Sequence, residues 1–250
     1  MASQQQGRWL LAALFIAGIG STLAAQSPDF QIVFKSRTYQ RVGNSSEQLW
    51  GVSLPDLQKA RMSKPPCSAF AQSDDRALTP AARAAALAAV NAGEGKHPAW
   101  SPDRQKLAYI NSDSPRLIIG ATTNKKNLAE ISLPEPSEHW NYASSVAWSP
   151  NAKSILIGSE AGSSTAHFED YWLLDWQTQK WQYIGGGNDA RWSPDGSKIL
   201  WSTKRELEPL GKMHVWVEHL VLADTRSMKQ QSLTSGVTTE SDFYWCGPPR

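Results

Sequence analysis

One phrase recurs along this chain and constrains what it can fold into. Trp100-Ser101-Pro102-Asp103 is followed by Trp148-Ser149-Pro150-Asn151 and then by Trp192-Ser193-Pro194-Asp195-Gly196. The Trp-to-Trp spacings are 48 and 44 residues, a period that belongs to repeat architectures. Each phrase leads into an apolar run: Leu107-Ala108-Tyr109-Ile110, Ile155-Leu156-Ile157 and Ile199-Leu200-Trp201. Pro fixes φ, and Asp or Asn accepts hydrogen bonds from the backbone two residues on, so the phrase reads as a tight turn between two strands. Gly or Asn supplies positive φ where the turn needs it. The Trp ends the strand before the turn and provides a large apolar wedge.

A second hairpin follows in each unit. Leu117-Ile118-Ile119 leads to Leu128 through Leu133, Tyr171 through Asp175 leads to Trp181 through Ile184, and Val215 through Leu222 leads to Gln230 through Leu233. Each unit therefore has four short strands, a to d, with the phrase between a and b. Before the first full unit, Ser27-Pro28-Asp29 and Ile32-Val33-Phe34 read as a half phrase entering strand b. Leu49 through Leu54 and Lys59 through Met62 supply c and d. At the other end, Ser241 through Pro248 has the form of a lone strand a.

The run 192–202, Trp-Ser-Pro-Asp-Gly-Ser-Lys-Ile-Leu-Trp-Ser, resembles the WD-repeat-like blade of TolB-type β-propellers, as does 100–110. The resemblance implies an all-β fold, a β-propeller. The strand count b-c-d, three full units and a final a predicts four blades of four antiparallel strands. The C-terminal strand then completes the first sheet and removes open edges. A ring shared between two chains satisfies the same count. Residues 63–96 fall outside the period and read as a helical insertion: Thr79 as N-cap, Pro80 at the first helical position, an Ala-rich body, and Gly93 as the stop.

Residues 1–25 stand apart. Arg8 precedes the apolar stretch Trp9 to Gly18, and small residues through Ala25 follow. This is the layout of a signal peptide, shorter than the ~20 apolar residues of a spanning helix. The expected domain is then 26–250, periplasmic or secreted; an uncleaved signal anchoring the chain to a membrane is the alternative. A net charge of +2 gives no electrostatic reason to expect nucleic acid. Cys67 and Cys246 would meet an oxidising compartment, and their placement leaves both the paired and the unpaired state open. Without His at matching spacing they make no zinc site.

In an antiparallel unit the a–b and c–d turns share one end, and the b–c and d–a connections share the other. The second set is long here: 35–47, 158–170 and 202–213 between b and c; the insertion, 134–142 and 234–240 between d and a. Elaborated loops on a rigid scaffold are where binding resides. Three residues before each Trp stand His97, Ser145, Asp189 and Asp242, one polar residue per inner strand at one height. They are the candidate residues for binding a partner or ligand, against the plainer reading of a solvated channel mouth. No Gly-x-Ser-x-Gly elbow activates Ser145, so a catalytic triad is not expected. His214, Glu218 and His219 do not converge from one strand face. Gly185-Gly186-Gly187 has no P-loop Lys-Ser/Thr after it and reads as a connection with unusual φ. His167, Glu169 and Asp170 cluster on a loop. No cofactor, metal or catalytic residue is expected. The leading functional expectation is an exported, non-catalytic module that binds a protein or peptide partner at its long-loop face, which the TolB-type resemblance implies. The alternative is a propeller hydrolase or lyase acting on a sugar or lactone, with a cation in the channel mouth.

Overall fold

The structure is a computed structural model that describes residues 31–38, 46–71, 78–93, 95–134, 143–161, 168–210 and 213–247. The expected signal peptide, Ser27-Pro28-Asp29 and His167 lie outside the described residues. In chain order the elements are β1 (Ile32–Thr38), β2 (Glu47–Ser53), β3 (Gln58–Met62), α1 (Pro80–Ala88), β4 (Lys96–Trp100), β5 (Lys106–Ile110), β6 (Arg116–Ala121), β7 (Asn127–Ser132) and β8 (Ala143–Trp148). Then come β9 (Ser154–Ala161), β10 (Phe168–Asp175), β11 (Lys180–Trp192), β12 (Lys198–Leu210), β13 (Met213–Asp224), β14 (Gln230–Ser232) and β15 (Thr238–Trp245).

The C-terminal strand lies where the strand count places it. β15 pairs antiparallel with β1, Ile32 opposite Trp245 and Val33 opposite Tyr244, and the first sheet runs β15-β1-β2-β3. A second sheet runs β4-β5-β6-β7. The remaining strands form one sheet of seven, β14-β13-β12-β11-β10-β9-β8, so four separate sheets are not what the chain makes. The reason is β11. Its first half pairs with β10 from Asp175↔Lys180 to Glu169↔Gly187, and its second half pairs with β12 from Asn188↔Ser202 to Trp192↔Ile199. It is strand d of one unit and strand a of the next, with no loop between.

Central strands carry apolar side chains on both faces, and alternate residues go to different neighbours. Ile155 and Ile157 of β9 pack toward the second sheet with Trp148, Ile110 and Ile119. Leu156 between them packs with Trp192, Ile199 and Trp201. Leu200 of β12 joins Ile32, Phe34, Phe243 and Trp245 of the first sheet. These three apolar cores order the strand units as second, third, fourth, first.

The motif Trp has a polar task at each of these seams. Trp148 Nε1 donates to the Ala99 carbonyl at 3.0 Å, Trp192 Nε1 to Ala147 at 3.3 Å, and Trp245 Nε1 to Arg191 at 3.2 Å. In each case the acceptor is the residue just before the motif Trp of the preceding unit. A buried indole N–H needs a partner, and the neighbouring backbone supplies it. Trp245 takes part on the same terms, so β15 stands as the missing inner strand of the first sheet.

β15 completes the first sheet as expected, but the expected closure into a wheel is not seen among the described residues. No strand of the first sheet makes a comparable seam with a strand of the second among the described residues. The insertion occupies that side. Thr79 caps α1, its hydroxyl accepting from Ala82 N–H, with Pro80 at the first helical position. The helix stops earlier than Gly93: Asn91, at φ 57°, turns the chain, and Ala92 N–H closes back to Leu87. Asn tolerates this left-handed conformation, a signal the Gly-based expectation passed over. Ala86, Leu87 and Val90 pack on Leu107, Tyr109 and Ile118, the face of the second sheet turned away from the third unit. Upstream, Ala69 bridges to Cys246, and Cys67 and Cys246 form a disulfide, which resolves the open question of their pairing.

The tight turns of the three phrases are superposable in their bonding. The hydroxyls of Ser101, Ser149 and Ser193 each donate to the Asp or Asn two residues on. They accept from Lys106, Ser154 and Lys198 N–H, all at 2.9 Å. The fourth position is left-handed every time: Arg104 at φ 56°, Ala152 at φ 58° and Gly196 at φ 70°. Only the third carries Gly. Ala152→Gly is therefore expected to raise stability by about 0.5–1 kcal/mol, because the αL penalty of a Cβ exceeds the entropy cost of Gly; chemical denaturation measures it, and a loss of stability would contradict the turn geometry.

Candidate binding end of the sheets

The four ring candidates fall at one rung of their strands, and backbone geometry explains their chemistry. Each inner strand carries a bulge there. Pairing slips between Lys96 and Ala99, between Ala143 and Ser145, and between Asn188 and Arg191. In β15 it slips opposite the Val33 to Lys35 step of β1. His97, Asp189 and Asp242 have φ of 52°, 60° and 49°. His and Asp are among the side chains that best tolerate this region, and a bulge that needs it selects them. Ser145 differs: its φ is not left-handed, and it is buried.

The same geometry separates the side chains. Asp189 forms an ion pair with Arg191 at 2.6 Å, and Asp242 reaches Lys35 of β1 at 2.8 Å. Ser145 lies over Gly158, where an added Cβ would come within 2.5 Å of its hydroxyl. His97 is half-buried on β4. The rung is shared, while Arg191 lies on the same strand as Asp189 and Lys35 on the strand beside that of Asp242. Among the described residues no group of three or more His, Cys, Asp or Glu has metal-binding geometry.

Two polar networks lie at this end, one half-buried and one buried. Glu169 of β10 accepts hydrogen bonds from Ser144 and Tyr171, and the Tyr171 hydroxyl accepts from Ala190 N–H at 3.1 Å. This ties the bulge of β8 to the bulge of β11. Asp170, its neighbour in sequence, accepts from the Tyr183 hydroxyl at 2.9 Å. Burial and that bond push the Tyr183 hydroxyl up to about 12. Glu240 of β15 is buried and accepts from Ser36 at 3.2 Å, Thr238 at 2.7 Å and Thr234 at 2.8 Å. Thr234 also receives Leu220 N–H at 2.9 Å, so the carboxylate joins β1, β13 and the connection into β15. Scattered Ser, Thr and Glu carry no sequence pattern that announces such a network.

The other sequence candidates resolve plainly. His219 is buried, its Nε2 at 3.2 Å from the Gly236 carbonyl, and Glu218 accepts from Ser202 at 3.3 Å. Gly185 has φ 148°, and Gly187 lies against the Ser202 carbonyl. The triple glycine is thus the crossing point inside β11. At the opposite end, Ser227 N–H and its hydroxyl hold the Asp224 carboxyl down at about 2, a turn-stabilising role.

The described parts of the b–c connections 158–170 and 202–213 are strand. β12 and β13 continue as a hairpin through Leu210↔Met213, and β9 and β10 reach Ala161↔Phe168. β12 runs eight residues beyond Ser202, its last partner for β11. The expected ornament at this end is a hairpin arm, and the alternation Lys204-Arg205-Glu206-Leu207 against Val215-Trp216-Val217-Glu218 already had strand period. Trp216 on the arm is 52% exposed while Val217 beside it is buried.

No known protein family matches the chain, and no curated protein does. Solved structures match at low identity. TolB from Acinetobacter baumannii is 15% identical, with a TM-score of 0.36 over 82% of this chain and 42% of that one. The β-propeller domain of the Trilobed protease from Pyrococcus furiosus is 11% identical, with a TM-score of 0.38 over 83% and 55%. The acylaminoacyl peptidase of Pyrococcus horikoshii is 9% identical, with a TM-score of 0.38 over 82% and 31%. The chain spans about half the length of these structures or less. What decides the class is the repeat itself: the shared turn, the indole-to-carbonyl bond at each seam, and the C-terminal strand laid beside β1. The fold is all-β, built from four-stranded units of β-propeller type. One fold hosts many activities, so function has to be argued from this chain's own surfaces.

Proposed function

We propose that the protein is an exported, non-catalytic β-propeller that binds a protein or peptide partner at the end of the sheets carrying the inner-strand bulges and the β12–β13 arm. In this reading residues 1–25 are a signal peptide and 26–250 a four-bladed propeller closed by β15, with the helical insertion at 63–96. The observation that carries it is the arm, eight residues past its last β11 partner with Trp216 half exposed. Aromatic residues on a rigid element are favoured anchors of protein interfaces. His97, Ser145, Asp189 and Asp242 lie at the rung beneath it and would form the polar floor. Export is supported by the disulfide, which persists in oxidising compartments. No helix among the described residues is long and apolar enough to cross a membrane. The hydrolase or lyase alternative calls for converging carboxylates and His. The pairing of Asp189 with Arg191 and of Asp242 with Lys35 favours the binding reading.

The test is capture of a partner from an envelope extract by the immobilised protein, its identification, and titration against variants. Trp216→Ala is expected to weaken binding by about 2 kcal/mol, roughly thirtyfold. Lys180→Glu, at the tight-turn end, is expected to leave affinity unchanged. Undiminished binding by the Trp216 variant, together with loss in the Lys180 variant, would move the site to the other end.

A further inference from the structure

Three seams join the four strand units, each through an apolar core and an indole bond. The first and second sheets are connected in a different way. At the first sheet, Phe70 N–H donates to the Trp245 carbonyl at 2.7 Å and Gly247 N–H to the Ser68 carbonyl at 2.8 Å. These bonds add Ser68–Phe70 to the outer edge of β15, the edge not used by β1. The Cys67–Cys246 disulfide holds the same spot covalently. At the second sheet, α1 presses Ala86, Leu87 and Val90 onto Leu107, Tyr109 and Ile118. Gly120 leaves room for it: a Cβ there would lie 2.9 Å from Val90 Cβ.

We propose that the insertion is a strap spanning the first and second sheets, and that the Cys67–Cys246 bond is a redox-sensitive buckle at its first-sheet end. The two ends are unequal. The helix is fixed by a buried apolar patch, which persists whatever the state of the cysteines. Among the described residues the other end has two backbone hydrogen bonds, each of small net worth, the half-buried Phe70 against the first-sheet core, and the disulfide. A dithiol breaks the S–S bond through a mixed disulfide. The Cys67 and Cys246 sulfurs together gain two electrons and two protons, and the dithiol closes to its own disulfide. The strap then lets go at β15 and stays seated on the second sheet.

Amide hydrogen exchange of the full chain, oxidised and in excess dithiothreitol, tests this. Reduction is expected to speed exchange about tenfold or more in the segments 67–71 and 245–247. α1, Ile155–Ile157 and Ile199–Trp201 should remain protected, and reoxidation should restore the first pattern. Cys67→Ser combined with Cys246→Ser should reproduce the reduced pattern; if that variant does not fold, reduction of the folded native chain still decides. Unchanged exchange at 67–71 on reduction would show that the bond holds nothing. A rise across all strands would make it a general staple of the fold and overturn the strap.

Discussion

Removal of residues 238–250 is expected to abolish cooperative folding. The cut takes Phe243 and Trp245 out of the apolar core shared by the first and fourth units, each worth about 3–5 kcal/mol by large-to-small precedent. It removes the disulfide partner Cys246, for which about 2–5 kcal/mol is typical. It also strips β1 of its neighbour and leaves Ser36 and Thr234 without Glu240. Together these are comparable to the roughly 5–15 kcal/mol by which a domain is stable. The measurement is thermal unfolding followed by near-ultraviolet circular dichroism. A truncated chain that still melts in one sharp transition would reduce β15 to an accessory.

Gly187→Ala is the second change expected to be severe. A Cβ at 187 would stand 2.1 Å from the Ser202 carbonyl oxygen and 2.6 Å from Trp201 Cδ1. Backbone cannot swing away as a side-chain tip does, so β11 and β12 must part at the point where β11 passes from one unit to the next. A cost of about 3 kcal/mol is expected, at the upper end of overpacking effects, which lowers the melting temperature by about 6–12 °C for a chain of this size. Gly186→Ala is the control: its nearest neighbour is the Asp170 carboxylate tip at 3.3 Å, which can rotate. Equal melting temperatures for the two variants would mean that the close approach is not real.

The parts of the fold legible in the sequence were those with a local chemical signature. The Trp-Ser-Pro phrase marked the a–b turns because Ser, Pro and Asp act on backbone within five residues of themselves. The polarity of Ser241 and Asp242 did not hide strand β15, since Phe243 and Trp245 kept the alternation. The sequence marks 202–213 as a connection, whereas β12 continues to Leu210 and β13 begins at Met213; charged side chains alternate in and out of solvent on an unburied hairpin as well as on any strand. The ring candidates were found by register and then explained by φ: His97, Asp189 and Asp242 mark where the backbone turns left-handed. Glu240 has no sequence signature because a buried carboxylate is recognised by its hydroxyl donors, and those come from residues far apart in the chain; Glu169, which the sequence places on a loop, stands on β10.

The indole bonds between units have a bearing on how such a chain arises. Every donor is the same ring at the same station, and every acceptor is the carbonyl one residue ahead of the previous ring. Any unit can therefore follow any other without a new interface being invented. Duplication or loss of a whole unit keeps the lock and its key matched, so the number of units is free to drift while the joint between them stays constant.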